Sequence, residues 1–252
     1  MNKAIGIILA VIVIVGGIYF FTRTPSQDLS DNTQTTDTTQ TVSTQGRVVF
    51  SVTDAAANMS TISEINMQIT SVDVHSIVDG WVTVSTTPRT FSLLKLNAEK
   101  RSDLLAEVSA NTGTYDQVRL AVSSVAVIMK DGTTKIAKLP SGVLKINTTI
   151  VVKANDTASV NFDFLASKSL VVTGNGTYIF APVVKTETRS SAGVTVNANN
   201  VVIIVNGRID NTNSVGMDID GNVKLDFEVD KTKKIEFNAD GSIKIPGLES
   251  SS

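Results

Sequence analysis

From Gly46 onward the chain is divided into short runs in which apolar and polar residues alternate, punctuated by turn residues about every eight to twelve positions. A period of two belongs to strands with one face buried and one face wet. Regular punctuation of such strands is the pattern of an antiparallel sandwich or barrel. Arg47–Thr53 opens the series, and Ile65, Met67 and Ile69 alternate in the next run. Val118, Leu120 and Val122 alternate within Thr114–Val125, and Val160, Phe162 and Phe164 within Ser159–Phe164. Tyr178–Thr188 closes the set, and Asp131-Gly132 is a hairpin turn signal. Roughly a third of all residues are Val, Ile or Thr, whose branched β-carbons favour strands. The expected fold is all-β: an antiparallel β-sandwich with a short helix, a C-terminal β-hairpin extension and an N-terminal single transmembrane helix.

The helix within the sandwich is placed at Ala98–Val108, with Asn97 as its cap and Leu104, Leu105 and Val108 on its apolar face. The transmembrane helix is placed on residues 1–21. Ala4–Phe21 is 18 residues without a charge, flanked by Lys3 and Arg23. As a helix it covers ~27 Å, close to the ~30 Å of a hydrocarbon core. Positive charge before it, and Asp28, Asp31 and Asp37 after it, put Met1 in the cytoplasm and the bulk of the chain outside. A cleaved signal peptide is the alternative, giving a secreted protein, although Tyr19-Phe20-Phe21 stands where a cleavage site needs small residues.

Residues 22–45 read as a disordered linker, since 20 of these 24 are Thr, Ser, Gln, Asn or Asp. Such a coil spans ~27 Å root-mean-square and at most ~80 Å when stretched. The sandwich is assigned to 46–189 and the hairpin extension, with a disordered end, to 190–252. Sequons at Asn58, Asn147, Asn155 and Asn175 matter only in a host that glycosylates.

Charge and inventory exclude several classes of function. With 22 Lys+Arg against 24 Asp+Glu, and 20 against 21 after residue 45, no electrostatic field draws nucleic acid. The absence of Cys removes disulfides, thiolate nucleophiles and Cys-based metal sites, and one His cannot build a multi-histidine centre. The chain has no G-x-S-x-G elbow, Walker loop, G-x-G-x-x-G loop or H-E-x-x-H pair. No cofactor, metal or catalytic residue is assigned. A glycosidase-type carboxylate pair leaves no sequence signature, so a hydrolase stays as a lesser alternative.

One hairpin offers a candidate ligand site. Val72–Ile77 and Trp81–Ser85 flank Val78-Asp79-Gly80. A three-residue loop that pairs Ile77 with Trp81 puts Val72, Val74, Val82 and Val84 on one face. Asp73, His75, Trp81, Thr83 and Ser85 then share the other. Trp81 beside His75 and Asp73 is an aromatic platform with polar neighbours, suited to stacking on a sugar ring. The same residues also suit a plain surface, with Trp81 covering the sheet edge. Elsewhere, Tyr115, Gln117 and Arg119 are expected on an outer face, with Arg119 able to pair with Asp163 if their strands are neighbours. Asp54 is expected in a turn closing the first strand, with a calcium role conceivable, and Pro182 at an edge or bulge.

Gly46–Lys185 resembles the exported bacterial and archaeal proteins grouped as domain of unknown function 4382. The resemblance is carried by GRVVFSVTDAA from Gly46, SVDVH (Ser71–His75), WVTVS (Trp81–Ser85) and RTFSLLKL (Arg89–Leu96). It continues through GTYDQVRLAV (Gly113–Val122), the Lys130-Asp131-Gly132 turn and LPSGVLKI (Leu139–Ile146). VNFDF (Val160–Phe164) and GTYIFAPVVK (Gly176–Lys185) complete it. The resemblance implies a β-sandwich-like module on secreted or membrane-attached proteins, without established activity. Ser92 stands where an acidic residue is expected, which argues against an ion site there.

In the tail, Val201–Val205 reads as a strand covered on both faces or paired at the core. MDIDGNVKL (Met217–Leu225) and FNADGSIKI (Phe237–Ile245) form a small repeat of β-hairpins. Asp218 and Asp220 lack the partners of a calcium loop. Val223, Leu225, Phe227 and Val229 alternate with charged residues, and the tail either extends the sandwich or forms its own meander. Two functions follow as expectations. The first is a membrane-anchored cell-surface module binding a glycan or a surface protein. The second is a structural envelope component that assembles laterally.

Overall fold

The computed structural model describes residues 44–55 and 59–231, together with a short strand pair at 236–237 and 243–244. The expected membrane helix, nearly all of the linker and the Asn58 sequon lie outside the described residues. Among the described residues no helix is long and apolar enough to cross a membrane.

In chain order the elements are β1 (Gln45–Asp54), β2 (Ile62–Ser76), β3 (Gly80–Ser85), β4 (Arg89–Ser92), α1 (Leu93–Glu99), β5 (Ser102–Asn111) and β6 (Gly113–Met129). Then follow β7 (Thr134–Ala137), β8 (Val143–Val152), β9 (Thr157–Phe164), α2 (Ala166–Ser169), β10 (Leu170–Val172), β11 (Tyr178–Phe180) and β12 (Val183–Ser190). The last are β13 (Gly193–Val196), β14 (Val201–Val205), β15 (Arg208–Met217), β16 (Val223–Leu225), β17 (Glu236–Phe237) and β18 (Ile243–Lys244). The fold is all-β, as the alternation implies.

Two sheets face each other. The first runs β13-β14-β5-β1-β9-β12-β15-β16. The second is built on two long antiparallel strands, β2 and β6. Along its free edge β2 pairs first with β4 and then with β3, while β6 pairs with β8 and β7 in the same way. Among the described strands every ladder is antiparallel except one: β1 lies parallel to β9, Arg47 opposite Thr157 through Asp54 opposite Phe164, and a single isolated bridge, Lys138 to Ile179, is also parallel. The expected purely antiparallel sandwich is corrected at this point.

The alternating residues form the core. Val118, Leu120, Val122, Val160, Phe162, Phe164, Ile65, Met67 and Ile69 are all buried, in one cluster with Phe50, Leu144 and Phe180. Each buried Phe contributes roughly 1.5–3 kcal/mol of transfer free energy. The Asp131-Gly132 hairpin forms as expected. Gly132 takes φ +85° and the Met129 N–H donates to the Thr133 carbonyl at 2.8 Å.

The helix at Ala98–Val108 is not observed. The helix is α1, which starts five residues earlier and ends nine earlier, with Leu93 and Leu96 buried on one face. Lys100 in the left-handed region (φ 49°) ends it, its N–H donating to the Asn97 carbonyl and that of Arg101 to Leu96. Ser102–Asn111 is instead strand β5, paired with β1. A bulge between Phe50 and Ser51 skips Leu105; as strand neighbours Leu104 and Leu105 turn to opposite faces, and both are buried because both faces are covered here. Leu105 enters the main core. Leu104 joins Val49 and Val202 in a smaller cluster, where Val194, Val196 and Ile204 of β13 and β14 cover the outside of the first sheet. Val108, four residues after Leu104 and three after Leu105, is what gives the run its helical spacing.

Bulges also overturn the reading of Tyr115. Irregularities against both β2 and β8 fall beside it, and it is buried, its hydroxyl donating to the Asn111 carbonyl at 3.1 Å. Arg119 and Asp163 do not pair, because β6 and β9 belong to different sheets.

Strands β13 to β16 are hydrogen-bonded into the first sheet. Val201–Val205 is not covered on both faces: Ile203 and Val205 are exposed, and β14 meets β5 through only two residue pairs. The expected alternation after Val223 stops at Asp226, whose φ of 47° breaks the strand. Leu225 is exposed, whereas Val229 is buried against Val171, Ile179 and Ala181. Pro182 immediately precedes β12, which is an internal strand, and its carbonyl accepts from the Met217 N–H.

Candidate functional site

The hairpin that joins β2 to β3 has a three-residue loop, but the loop is Ile77-Val78-Asp79, one position earlier than expected. His75 therefore lies directly opposite Trp81, and Val74 opposite Val82. Asp73, His75, Trp81 and Thr83 share one face and Val74 lies opposite Val82, as expected, but Ser85 leaves the expected polar face. A bulge after Val72 then sets it across from Ser85. Ile77 and Val78 project into solvent at the hairpin tip.

Register across β3, β2, β6 and β8 builds an open outer face of the second sheet in transverse rows. One row reads Trp81, His75, Gln117, Asn147. The next reads Thr83, Asp73, Arg119, Lys145. Adjacent strands lie ~4.8 Å apart, so each row is about 14 Å long.

Trp81 is 38% exposed, because two neighbours cover part of it. The His75 ring lies 5.0 Å from it, centroid to centroid, tilted by 50°. The Arg119 guanidinium reaches across β2 and sits 3.5 Å from the Trp81 ring centroid, a cation–π contact. His75 Nδ1 lies 2.7 Å from Asp116 Oδ1, so this nitrogen carries the proton toward the carboxylate. Asp73 Oδ1 accepts from the Thr83 hydroxyl at 2.7 Å. Gln117 donates its side-chain amide to Asn147 Oδ1, and Asn213 of β15 donates to the Asn147 backbone carbonyl.

Two shallow recesses meet at Arg119. One, of about 470 Å³, is lined by His75, Trp81, Asp116, Gln117, Arg119 and Asn147. The other, of about 430 Å³, contains Asp73, Arg119 and Lys145 with Ser71 and Ser141. The structure thus brings Trp81 and His75 into contact and puts Asp73 one row away, bonded to Thr83 rather than to the indole. Arg119, Gln117, Asn147, Lys145 and Asp116 complete the site and were not singled out for it. Their signal was present in part, since Gln117 and Arg119 share an outer face, but the strand order that sets them beside Trp81 is non-local.

The other notable carboxylates are structural. Asp54 is buried, and its Oδ1 accepts from the Ala166 N–H at 2.9 Å at the start of α2, while residues 56–58 of the expected turn lie outside the described residues. Burial pushes its carboxyl up to about 7, against the pull of that N–H and with a further push from Asp163. Asp163 is also raised, first by burial, with the Ala55 N–H and Lys185 opposing. Asp218 accepts from the N–H groups of Asp220 and Asn222 and pairs with Lys224 at 2.7 Å. Burial pushes its carboxyl up, but Lys224 and Asn222 together outweigh this and hold it below its ordinary value. It organises the first hairpin of the tail repeat. Ser92 donates to Glu64 at 2.8 Å. Among the described residues no group of three or more His, Asp or Glu is arranged to hold a metal ion.

A family model described as Domain of unknown function (DUF4382) matches residues 45–182. The matched segment contains β1 to β11 and the whole Trp81 face except Asn213, and it ends just before β12. No curated protein and no solved structure matches the chain.

Proposed function

The chain belongs to the DUF4382 family, a domain of unknown function, and from that premise we propose that it is a membrane-anchored extracytoplasmic β-sandwich acting as a non-catalytic binding module at the cell surface. The observation that carries this reading is the open row of Trp81, His75, Gln117 and Asn147. A partly exposed indole supplies an apolar surface for the C–H face of a sugar ring. Planar amides and carboxylates beside it, as in Gln117, Asn147 and Asp73, match the paired hydroxyls of a glycan. The uncharged segment Ala4–Phe21 and the polar linker support the anchored placement.

A glycan and protein binding screen on the full chain tests the reading. Specific binding that Trp81→Ala abolishes is the expected result; binding that survives this change overturns the site. Protease added to intact cells tests the placement, which is wrong if the 22–45 linker stays uncut. A second reading, lateral assembly into an envelope layer, is favoured by the exposed Ile203, Val205 and Ile209. It predicts concentration-dependent self-association and no ligand.

A further inference from the structure

Resting on the glycan-binding reading, we infer that the ligand is an acidic glycan whose sugars bear a carboxylate, held by Arg119 and Lys145 in the row beside Trp81. These two cations face each other across β6 and β8 in register. Neither takes part in an ion pair among the described residues: the Arg119 guanidinium lies against the Trp81 ring, with its Nε buried there and without a hydrogen-bond partner. Lys145 is exposed.

The charges near them decide the class. The recess that contains Arg119 and Lys145 holds one carboxylate, Asp73, whose Oδ1 already accepts the Thr83 hydroxyl. Two cations against one carboxylate leave this recess, at its Lys145 end, one positive charge for a ligand carboxylate to neutralise. Asp116 lies in the first recess, 2.7 Å from His75, and Glu64, farther along β2, accepts from Ser92. A neutral sugar would meet Asp73, Gln117 and Asn147 with its hydroxyls but leave the two cations unanswered. A simple anion would use the cations and leave Trp81 idle. A uronate-type sugar uses both, with its ring on the indole side, its hydroxyls on the amides and Asp73, and its carboxylate between Arg119 and Lys145. Because the recesses join at Arg119, successive sugars fit along the same face.

The test titrates the full chain with oligogalacturonate and with the same oligomer after reduction of its carboxyl groups to primary alcohols. The expected result is binding of the acidic form about tenfold or more tighter than the reduced form, weakening as salt rises. Lys145→Gln, an exposed change that leaves the core intact, is expected to remove most of that preference. Arg119→Gln should do the same and also disturb Trp81. Equal affinity for both oligomers, or a preference untouched by Lys145→Gln, overturns the inference. In that outcome Trp81-dependent binding of the reduced form keeps the binding-module reading intact. Failure to bind either oligomer, together with an empty glycan screen, removes both.

Discussion

Arg119 on β6 spans the full width of β2 to lay its guanidinium 3.5 Å from the centre of the Trp81 ring on β3. Trp81 is the only tryptophan in the chain, so its fluorescence reports this contact directly. Arg119→Ala is expected to shift the emission to longer wavelength as water reaches the uncovered face. It should also cost roughly 0.5–1 kcal/mol in urea unfolding, the range for a partly exposed cation–π pair. A double-mutant cycle with Trp81→Leu isolates the pairwise share; zero coupling would show that the two groups only happen to be close.

Asp54 gives stability a pH dependence of definite sign. Its native value of about 7 lies above the ordinary 3.8. Between those values the folded state holds a proton that the unfolded state releases. The contribution to stability is therefore complete below about pH 4 and is lost as pH rises through 7. Asp54→Asn keeps an oxygen for the Ala166 N–H and carries no charge. At pH 8 it is expected to be more stable than the parent by on the order of 2–4 kcal/mol, and near pH 4 close to equal. Denaturant melts across this range check the prediction, and parallel pH profiles for the two proteins would refute it.

Tyr115 distinguishes an inward from an outward side chain. Buried, with its hydroxyl on the Asn111 carbonyl, it should lose about 0.5–1.5 kcal/mol on change to Phe. Tyr115→Lys is expected to cost several kcal/mol, because an unpaired ammonium would be forced into the core. Were the residue on the outer face beside Gln117, both changes would be nearly silent in thermal melts.

Gly216 lies where the Phe227 backbone crosses β15. An added Cβ would strike the Phe227 carbonyl. Gly216→Ala is expected to push the 226–229 segment away and release Val229 from Val171 and Ile179, at a cost of roughly 1–3 kcal/mol. Limited proteolysis should then show faster cleavage near residue 227, with the sandwich intact. Unchanged cleavage would mean that the segment is not held there.

How much of this was legible depended on whether a residue's environment is set by its own strand. Val118, Leu120 and Val122, or Val160, Phe162 and Phe164, obey a strict period of two, and their burial follows from it. The hairpin at Asp131-Gly132 is equally local. Tyr115 departs from the expected outer face because a bulge inserts one residue and reverses the parity beyond it. AEKRSDLLAEV has helix-favouring composition, yet pairing with β1 prevails over it, as tertiary context does over propensity. Val201–Val205 has the look of a buried strand, but it sits near a sheet edge. For the site, the sequence reading reached the Trp81–His75 half, which one hairpin forms. The Arg119–Lys145 half needed the order β3-β2-β6-β8, which no local pattern encodes.

The parallel pairing of β1 with β9 has a consequence for how the chain comes to be folded. Both neighbours of β1 lie downstream: β5 begins at Ser102 and β9 ends at Phe164. A chain synthesised from its N-terminus therefore carries the central strand of its larger sheet with one side open until residue 164 has appeared. Long-range closure of this kind is slow, and the growing chain stays vulnerable at that edge. A chain stopped before β9 should be degraded or captured by chaperones rather than accumulate as a half-sandwich.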